Sequence, residues 1–291
     1  MIVYLAKYRG FCSGVKRSIR LAEKALADKE PPVFVLKDIV HNKTVVNRLA
    51  EEGLVKVDDP QKAESGTLIF SAHGVPGDFI IDAQKRGLEV VDTTCPLVYR
   101  IHKTARELTA KDYEVILFGD PDHDEVIAIK SVNPDHIHVL KSIEDIPSLP
   151  EFDNSISFIS QSTRNVEKFH EAAEALMDQY GPVKIENTIC LATRRRQDSI
   201  KEIVKSAELI VVVGSKHSAN SNRLVELADK SGAEAYLIDN ADDFDFDLLD
   251  DIESVGITSG ASTPDNLVQE LIAEIRQYCE DEERGCELIE L

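Results

Sequence analysis

Three cysteines lie near the thirds of this 291-residue chain, at positions 12, 95 and 190. Each stands where an extended segment gives way to a helix-like one, and each is followed five positions later by an arginine: Arg17, Arg100 and Arg195. Thiolates are ligands for zinc and for iron–sulfur clusters. The spacing of Cys12, Cys95 and Cys190 therefore predicts a threefold protein assembled around one metal centre.

The residues alone leave the kind of metal centre open. A structural zinc site usually has four ligands, so three cysteines would need a histidine to complete one. Iron–sulfur clusters also prefer four cysteines, and a cubane held by three leaves one iron without a protein ligand, which would be the reactive position. The alternative is three unconnected cysteines buried in the core. The repeated surroundings of the three cysteines weigh against that alternative.

The predicted elements around the cysteines also repeat. After each cysteine, apolar residues recur at helical spacing, and a short β-branched and aromatic run typical of a buried parallel strand follows. These strands are predicted at Val33–Leu36, Glu114–Phe118 and Leu209–Val213. A second strand and polar loop come next in every third, with strands predicted at 68–71, 156–160 and 255–258.

Further extended runs, 89–91 and 183–186, lead into Cys95 and Cys190, but the last third has no such run before the chain ends. The run 2–6, which leads into Cys12, can supply it. We therefore predict an α/β fold of three similar α/β units, each of about 80 to 100 residues, arranged with pseudo-threefold symmetry. The predicted units are 14–95, 96–188, and 189–280 together with 1–13, followed by an acidic C-terminal tail at 281–291. Cys279 and Cys286 are assigned no role.

Polar side chains follow the predicted strands at the points where helices begin. In α/β folds ligands bind at such strand ends, and the free N–H groups of a helix N-terminus attract phosphate. A single histidine at such a place is more often a surface or capping residue, so the prediction depends on the shared position in the repeat. Asn42, Ser221 and Thr263 are expected to cap helices. The candidate ligand-binding residues are His41, His73, His123, Ser162, Thr163, Ser218, Asn220 and Ser262.

Glu125 lies two residues after His123, at a predicted helix start. A carboxyl group in that place is a candidate to deliver a proton to a ligand. It is equally explained as a carboxylate that favours the positive end of the helix dipole.

Composition limits the class of protein. Hydrophobic residues make up 43% of the chain and charged residues 30%, and no apolar run approaches the ~20 residues that span a membrane. The N-terminus does not read as a signal peptide, and an odd number of cysteines, five, favours reduced thiols in a cytoplasm. A net charge of −20 disfavours nucleic acid as a partner. An anionic ligand must therefore depend on a local cluster of donors.

Seven motifs in order resemble the 4-hydroxy-3-methylbut-2-enyl diphosphate reductases of the non-mevalonate isoprenoid pathway, the LytB family. The resemblance extends from residue 1 to about 280 and is specific because of the order and number of the motifs. They are Arg9-Gly10-Phe11-Cys12-Ser13-Gly14-Val15, Val40-His41-Asn42, Phe70-Ser71-Ala72-His73-Gly74-Val75, Asp92-Thr93-Thr94-Cys95-Pro96-Leu97-Val98, Val213-Gly214-Ser215-Lys216, Asn220-Ser221-Asn222-Arg223-Leu224 and Gly260-Ala261-Ser262-Thr263-Pro264-Asp265.

The resemblance implies a three-lobed protein around one central [4Fe-4S] cluster per chain, held by Cys12, Cys95 and Cys190 with one open iron. It implies reductive removal of the allylic hydroxyl of the substrate, which yields isopentenyl and dimethylallyl diphosphate. Ferredoxin or flavodoxin is the implied electron donor. Because such donors are commonly acidic and this chain has a net charge of −20, docking is expected to need a local basic patch, with Lys16, Arg17 or Arg194 to Arg196 as candidates. The implied diphosphate-binding residues are His41, His73, Ser218, Asn220 and Ser262, and those facing the hydroxyl and its proton relay are His123, Glu125, Ser162 and Thr163.

The chain departs from the family pattern at several places. Asp124 stands where proline is usual, Ser162 replaces a common threonine, Ala219 replaces a frequent serine, and Arg194 to Arg196 form a denser basic run. Two other classes are therefore kept as alternatives. An aconitase-like hydro-lyase would act without a reductant, and a non-enzymatic sensor of metal or oxygen would bind no diphosphate.

Overall fold

The computed structural model describes residues 1–291, and its strands form three separate parallel sheets. The strands are β1 (Ile2–Leu5), β2 (Val33–Leu36), β3 (Leu54–Val57), β4 (Thr67–Phe70), β5 (Glu89–Asp92), β6 (Glu114–Phe118), β7 (Ile137–Leu140), β8 (Ile156–Ser160), β9 (Val183–Ile185), β10 (Leu209–Val213), β11 (Glu234–Ile238), β12 (Ser254–Ser259) and β13 (Glu287–Glu290). The helices are α1 (Ser13–Asp28), α2 (Lys43–Glu51), α3 (Gly77–Lys85), α4 (Pro96–Thr109), α5 (Asp124–Lys130), α6 (Val166–Tyr180), α7 (Leu191–Ile203), α8 (Ala219–Lys230) and α9 (Asp265–Asp281). None of these helices combines the length and the apolar composition that a membrane span requires.

The same strand order occurs in each sheet. It is β3-β2-β4-β5 in the first, β7-β6-β8-β9 in the second and β11-β10-β12-β1 in the third, where β13 adds a fifth strand beside β1. All pairs are parallel. The prediction of three similar α/β units is confirmed.

Parallel pairing places the carboxyl ends of neighbouring strands together. Val213 at the end of β10 is in register with Ser259 at the end of β12, and Phe118 is likewise in register with Ser160. The central strands are buried on both faces, as the five residues of β10 illustrate. The loops that follow such a pair of strands therefore begin side by side, at the sheet edge where α/β folds bind ligands.

The sequence prediction missed the outer strands β3, β7 and β11. Each lies at a sheet edge, and residues such as Val55 in β3 remain exposed. These three strands lack the continuous apolar run of a buried strand, because their faces are partly exposed to solvent, and unlike the edge strands β5 and β9 they do not lead into one of the spaced cysteines.

The two ends of the chain meet in one sheet. Strand β1 lies between β12 and β13, with Ile2 opposite Ser254 on one side and Glu287 on the other. The acidic segment 281–291 contributes strand β13, whose backbone pairs with the second edge of β1. Cys279, which was assigned no role, is buried in α9 and contacts the sulfur of Met1.

The residues group by their contacts into two compact units. Unit I consists of Met1–Ser13, His41–Val45 and Leu191–Leu291 and contains the five-stranded sheet. Unit II consists of Gly14–Val40 and Val46–Cys190 and contains both four-stranded sheets. The segment His41–Val45 thus groups with unit I, whereas the sequence boundaries assign it to the first α/β unit.

Candidate functional site

Each of the three spaced cysteines stands directly before a helix. Cys12 precedes α1, Cys95 is the N-cap residue of α4, and Cys190 precedes α7. All three side chains are partly exposed. None of the three helices has an acidic residue in its first turn, so a thiolate there meets the positive end of a helix without a competing carboxylate.

One backbone hydrogen bond recurs at all three cysteines. The N–H of Cys12 donates to the carbonyl of Ala261 at 3.0 Å, that of Cys95 to Ala72 at 3.0 Å, and that of Cys190 to Ser162 at 2.9 Å. These carbonyls belong to the loops that follow β12, β4 and β8, and the next residues are Ser262, His73 and Thr163. Each cysteine is therefore joined locally to one of the predicted ligand-binding loops.

Unit I contains Cys12, His41, Ser218, Asn220 and Ser262. The hydroxyl of Ser262 donates to the carbonyl of His41 at 3.0 Å, which ties the two loops together. Ser218 caps α8 by accepting the Ser221 N–H at 3.3 Å. Asn220, in the first turn of α8, is buried, and its Nδ2 has no hydrogen-bond partner. A buried amide donor at a helix N-terminus is suited to an anionic ligand.

The cap assignments are only partly right. Asn42 caps α2 by accepting the Val45 N–H at 3.1 Å. Ser221 does not cap a helix, because its hydroxyl packs against Gly214 and Gly260, where an added Cβ would lie 2.3 and 2.1 Å from Oγ. Thr263 does not cap one either, since its hydroxyl donates to the carbonyl of Val213 at 2.9 Å.

Glu125 is the one carboxyl group among the predicted site residues, and its side chain is buried at 2% exposure. In unit II, its Oε1 accepts the N–H of Ser162 at 2.6 Å, and its Oε2 accepts the Ser162 hydroxyl at 2.8 Å. Burial raises the pKa of Glu125 to about 7, although the two hydrogen bonds from Ser162 oppose that rise. At neutral pH Glu125 therefore holds a proton in a large fraction of molecules and can also release it.

His123 lies at the start of the same helix. Its Nδ1 accepts the N–H of Glu125 at 3.1 Å, so the ring caps α5 and the proton of the neutral imidazole is on Nε2. The His73 and His123 rings lie edge to face with centroids 5.7 Å apart. His73, His123, Glu125 and Ser162 of unit II are therefore linked by direct contacts. The hydroxyl of the next residue, Thr163, is buried and has no hydrogen-bond partner.

Asp124, the departure from the family pattern beside His123, has a partner within unit II. Its carboxylate pairs with the ammonium of Lys37, which directly follows β2 and has a positive φ of 58°. This ion pair ties the start of α5 to the neighbouring sheet and restrains a loop that lacks the usual proline. Both residues line a cavity of 360 Å³ together with Ser71 and Gly74.

His102 supports the loop of His73 and had no sequence signal. Its side chain is 8% exposed and lies under Gly74, where an added Cβ would be 3.3 Å from His102 Cε1. Burial, with the charge of Arg106 as a smaller cause, lowers the pKa of His102 to about 4. His102 is therefore neutral at physiological pH. In the sequence it occupies a core position of α4 and reads as an ordinary buried residue.

Arg196 is not a surface residue, so its inclusion in a docking patch is wrong. Its side chain is 4% exposed, and its guanidinium donates to the carbonyls of Gly10 at 2.5 Å and Ala192 at 3.1 Å. It holds the segment that leads into Cys12. Arg195, by contrast, is exposed and lies over the Tyr8 ring at 5.2 Å.

Comparisons with known proteins agree on one family. The model of the family described as LytB protein matches residues 3–276. A 4-hydroxy-3-methylbut-2-enyl diphosphate reductase of Actinobacillus pleuropneumoniae is 40% identical over 285 residues, which are 95% of this chain and 90% of that protein. One from Streptomyces coelicolor is 41% identical over 276 residues, 93% of this chain and 81% of that protein.

Two solved structures are similar over nearly the whole chain. The E-1-hydroxy-2-methyl-but-2-enyl-4-diphosphate reductase from Plasmodium falciparum superposes with a TM-score of 0.94 at 28% identity, covering 100% of this chain and 92% of that one. A second, described as (E)-4-hydroxy-3-methyl-but-2-enyl diphosphate reductase, the terminal enzyme of the non-mevalonate pathway, has a TM-score of 0.69 at 32% identity and covers 95% of this chain and 99% of that one.

Proposed function

Because this chain belongs to the LytB protein family, we propose that it reduces (E)-4-hydroxy-3-methylbut-2-enyl diphosphate to isopentenyl diphosphate and dimethylallyl diphosphate, the last step of the non-mevalonate isoprenoid pathway. The reaction consumes two electrons and two protons, breaks the allylic C–O bond and releases water. The observation that carries the proposal is the buried Glu125, whose pKa of about 7 suits it to protonate a departing hydroxyl at neutral pH.

The three cysteines fit an iron–sulfur centre better than a zinc site. Their donor set is three thiolates at helix N-termini, whereas a structural zinc site would need a fourth ligand. We assign Cys12, Cys95 and Cys190 to one [4Fe-4S] cluster per chain with one iron lacking a protein ligand. When bound, such a cluster supplies electrons to the substrate and a Lewis-acidic iron for its hydroxyl.

The diphosphate is assigned to His41, His73, Ser218, Asn220 and Ser262. Support comes from the unpartnered Nδ2 of Asn220 at the N-terminus of α8, because a phosphate oxygen there would satisfy a donor that is otherwise buried alone. The hydrogen bond from Ser262 to the His41 carbonyl fixes two of these loops to each other.

Proton delivery is assigned to Glu125, with His123, Ser162 and Thr163 facing the substrate hydroxyl. The Ser162 hydroxyl contacts Glu125 directly and can pass a proton on, since a hydroxyl both donates and accepts. His123 presents Nε2–H once its Nδ1 accepts the N–H of Glu125. Protonation of the oxygen as the C–O bond breaks means that water leaves instead of hydroxide.

A pseudo-threefold repeat around the cluster is proposed for the chain. Its units are 14–95, 96–188, and 189–280 together with 1–13. It is supported by the common strand order of the sheets and by the recurring backbone hydrogen bond of each cysteine.

Ferredoxin or flavodoxin is proposed as the electron donor. A cytoplasmic location is proposed because thiolate-bound clusters need a reducing compartment.

The test is an anaerobic assay of the cluster-loaded protein with the hydroxylated allylic diphosphate, with and without a strong one-electron reductant. We expect both five-carbon diphosphates only when the reductant is present, and no product from the Cys95→Ser variant. Conversion of the substrate without reductant would favour a hydro-lyase. A cluster that leaves the substrate unchanged under both conditions would favour a sensor.

A further inference from the structure

Cys279 and Cys286 are the two cysteines that the proposed function does not use, and both belong to unit I. Cys279 lies in the last turn of α9 and is buried at 1% exposure. Cys286 directly precedes β13, is partly exposed, and packs against the core cluster that contains Cys279. The two thiols are hydrogen-bonded to each other, and neither is in a disulfide. Unit I therefore brings two free thiols, seven positions apart in sequence, into contact.

The turn between the two cysteines is held in place by hydrogen bonds. The N–H of Arg284 donates to the carbonyl of Cys279 at 2.7 Å, and Glu283 takes a positive φ of 54° in this reversal. The Arg284 guanidinium donates to the carbonyls of Leu249 at 2.7 Å and Ile252 at 2.5 Å. The thiols therefore stay close without a bond between them, and this proximity favours their reaction with each other.

Met1 holds Cys286 from the other side. The Met1 ammonium donates to the carbonyl of Gly285 at 2.6 Å, and the N–H of Glu287 donates to the Met1 carbonyl at 3.0 Å. The sulfur of Met1 also contacts that of Cys279 at 3.9 Å. The cysteine pair thus lies where the end of α9 and the starts of β1 and β13 meet.

The two thiols differ in their surroundings, and this difference assigns their roles. Burial, followed by the nearby Cys286 thiol, raises the pKa of the Cys279 thiol, so Cys279 keeps its proton at neutral pH. Cys286 is the thiol that an oxidant in solvent can reach, because it is partly exposed. Cys286 is therefore the attacking residue, and Cys279 is the residue that completes the disulfide.

We propose that Cys279 and Cys286 form a reversible disulfide when the low-molecular-weight disulfides of the cell accumulate. The Cys286 thiolate attacks one sulfur of such a disulfide, which releases one small thiolate and leaves a mixed disulfide on Cys286. Cys279 then attacks the Cys286 sulfur, the second small thiolate leaves, and the bond between the two cysteines forms. Each released thiolate takes up the proton of one cysteine. The two protein thiols thus lose two electrons, and the small disulfide gains them.

The disulfide would fasten the start of β13 to α9. Strand β13 is otherwise held by its pairing with β1 and by the ion pair of Glu290 with Arg9 at 2.6 Å. The carbonyl of Leu291 also accepts the N–H of Lys7 at 2.7 Å, within the segment that leads into Cys12. A covalent link at β13 therefore restrains the backbone before Cys12 under oxidising conditions and releases it under reducing ones.

The experiment uses the cluster-loaded chain in anaerobic buffers that contain reduced and oxidised glutathione at a series of ratios. Free thiols are then blocked by alkylation, and the chain is digested with trypsin. Because trypsin cleaves after Arg276 and Arg284, Cys279 lies in the peptide 277–284 and Cys286 in the peptide 285–291. In mass spectrometry the two peptides stay together only if a disulfide joins them.

We expect joined peptides at oxidising ratios and their separation after excess reduced glutathione is added. In the same samples, amide hydrogen exchange of Lys7 and of β13 slows by about tenfold or more on oxidation, because the link closes a short loop and opposes local opening. Cys286→Ser shows no such slowing. Peptides that stay separate at every ratio would overturn the proposal, and so would an equal slowing of exchange in the wild type and in Cys286→Ser.

Two single variants test the assigned roles. Cys279→Ser lacks the thiol that completes the disulfide, so it is expected to accumulate glutathione on Cys286. Cys286→Ser is expected to leave Cys279 unmodified, because that thiol is buried. Glutathione that remains on Cys286 of the wild type, or attachment of glutathione to Cys279 in Cys286→Ser, would overturn these roles.

Discussion

The surroundings of Glu125 push its pKa in opposite directions, and burial has the larger effect. Two hydrogen bonds from Ser162 favour the carboxylate, yet the pKa still rises to about 7 because the side chain is almost fully enclosed. A group with this pKa changes its protonation state within the physiological range. Glu125 is thus suited to donate a proton once per turnover and to be reprotonated from solvent.

Glu125→Gln keeps the shape of the side chain but removes its acid. We expect the turnover rate to fall by roughly 10²- to 10⁴-fold, the usual contribution of a positioned general acid. In the wild type the protonated form is lost as pH rises through about 7, so the rate declines above that pH. The variant lacks this decline. Iron content and visible absorption serve as controls and remain those of the wild type, and wild-type activity in the variant would remove Glu125 from its role.

The Ser162 hydroxyl donates a hydrogen bond to Glu125 and so stabilises the carboxylate. Removing this hydroxyl therefore disfavours the charged form of Glu125. Ser162→Ala is expected to raise the pKa of Glu125 and to move the decline in rate upward by roughly 1 pH unit. Ser162→Thr keeps the hydroxyl and keeps the wild-type profile. Rate profiles recorded between acidic and alkaline pH test this, and an unshifted profile for Ser162→Ala would mean that the hydroxyl does not control the proton on Glu125.

At the residue scale, the sequence predicts the side chains that occupy equivalent positions in the three repeats. It misses buried side chains whose role depends on contacts with residues distant in sequence. The cysteines were recognisable because their surroundings recur in every third. Arg196 and His102 were not, because a buried guanidinium and a buried imidazole reveal themselves only by what they contact, the Gly10 carbonyl and Gly74. The sequence predicts a cap at Ser221 for the same reason, since the packing of Ser221 against Gly214 and Gly260 is a contact between segments distant in sequence.

Among the elements, α7 positions the segment before Cys12 through a single side chain. Arg196→Leu leaves the Gly10 carbonyl without its donor, so we expect the chain to lose about 2 kcal/mol of stability and to retain less iron after reconstitution. Arg195→Leu on the same helix is the matched control, because Arg195 is exposed. It is expected to change stability by less than about 0.5 kcal/mol. Equal thermal stability and iron content in the two variants would contradict this role.

Strand β13 covers the second edge of β1. Deleting residues 287–291 removes the pairing of β13 with β1 and the ion pair of Glu290 with Arg9. We expect a lower Tm and concentration-dependent association through the uncovered edge of β1, measured by calorimetry and light scattering. Glu290→Gln is the control, because it removes only a partly exposed ion pair worth up to about 1 kcal/mol. An unchanged Tm after the deletion would show that β13 does not stabilise the sheet.

At the element scale, buried central strands were predictable because they form continuous apolar runs. The predicted bounds of β2, β6 and β10 coincide with the structure. Among the edge strands, β5 and β9 are predictable as extended runs that lead into Cys95 and Cys190. The strands β3, β7, β11 and β13 are not, because they are short and partly polar and become strands only through pairing with a neighbour.

For the whole molecule, the acidic net charge predicts a weak affinity for polyanions, and it says nothing about how the charges are distributed. The net charge of −20 is an average that hides the cations on α1 and α4. Only the structure places the Arg17 guanidinium of α1 against the carbonyls of Thr93 and Thr94, directly before Cys95. Net charge therefore limits the classes of partner, whereas the surroundings of an individual cation are known only from the structure.

The central claim is that this chain catalyses a two-electron reductive dehydroxylation. The most direct test is to count the electrons consumed for each five-carbon diphosphate formed, in an anaerobic titration of the cluster-loaded protein and its substrate with reduced methyl viologen. The account predicts two electrons per product molecule and no product without the viologen. Conversion of the substrate with no consumption of electrons would contradict it.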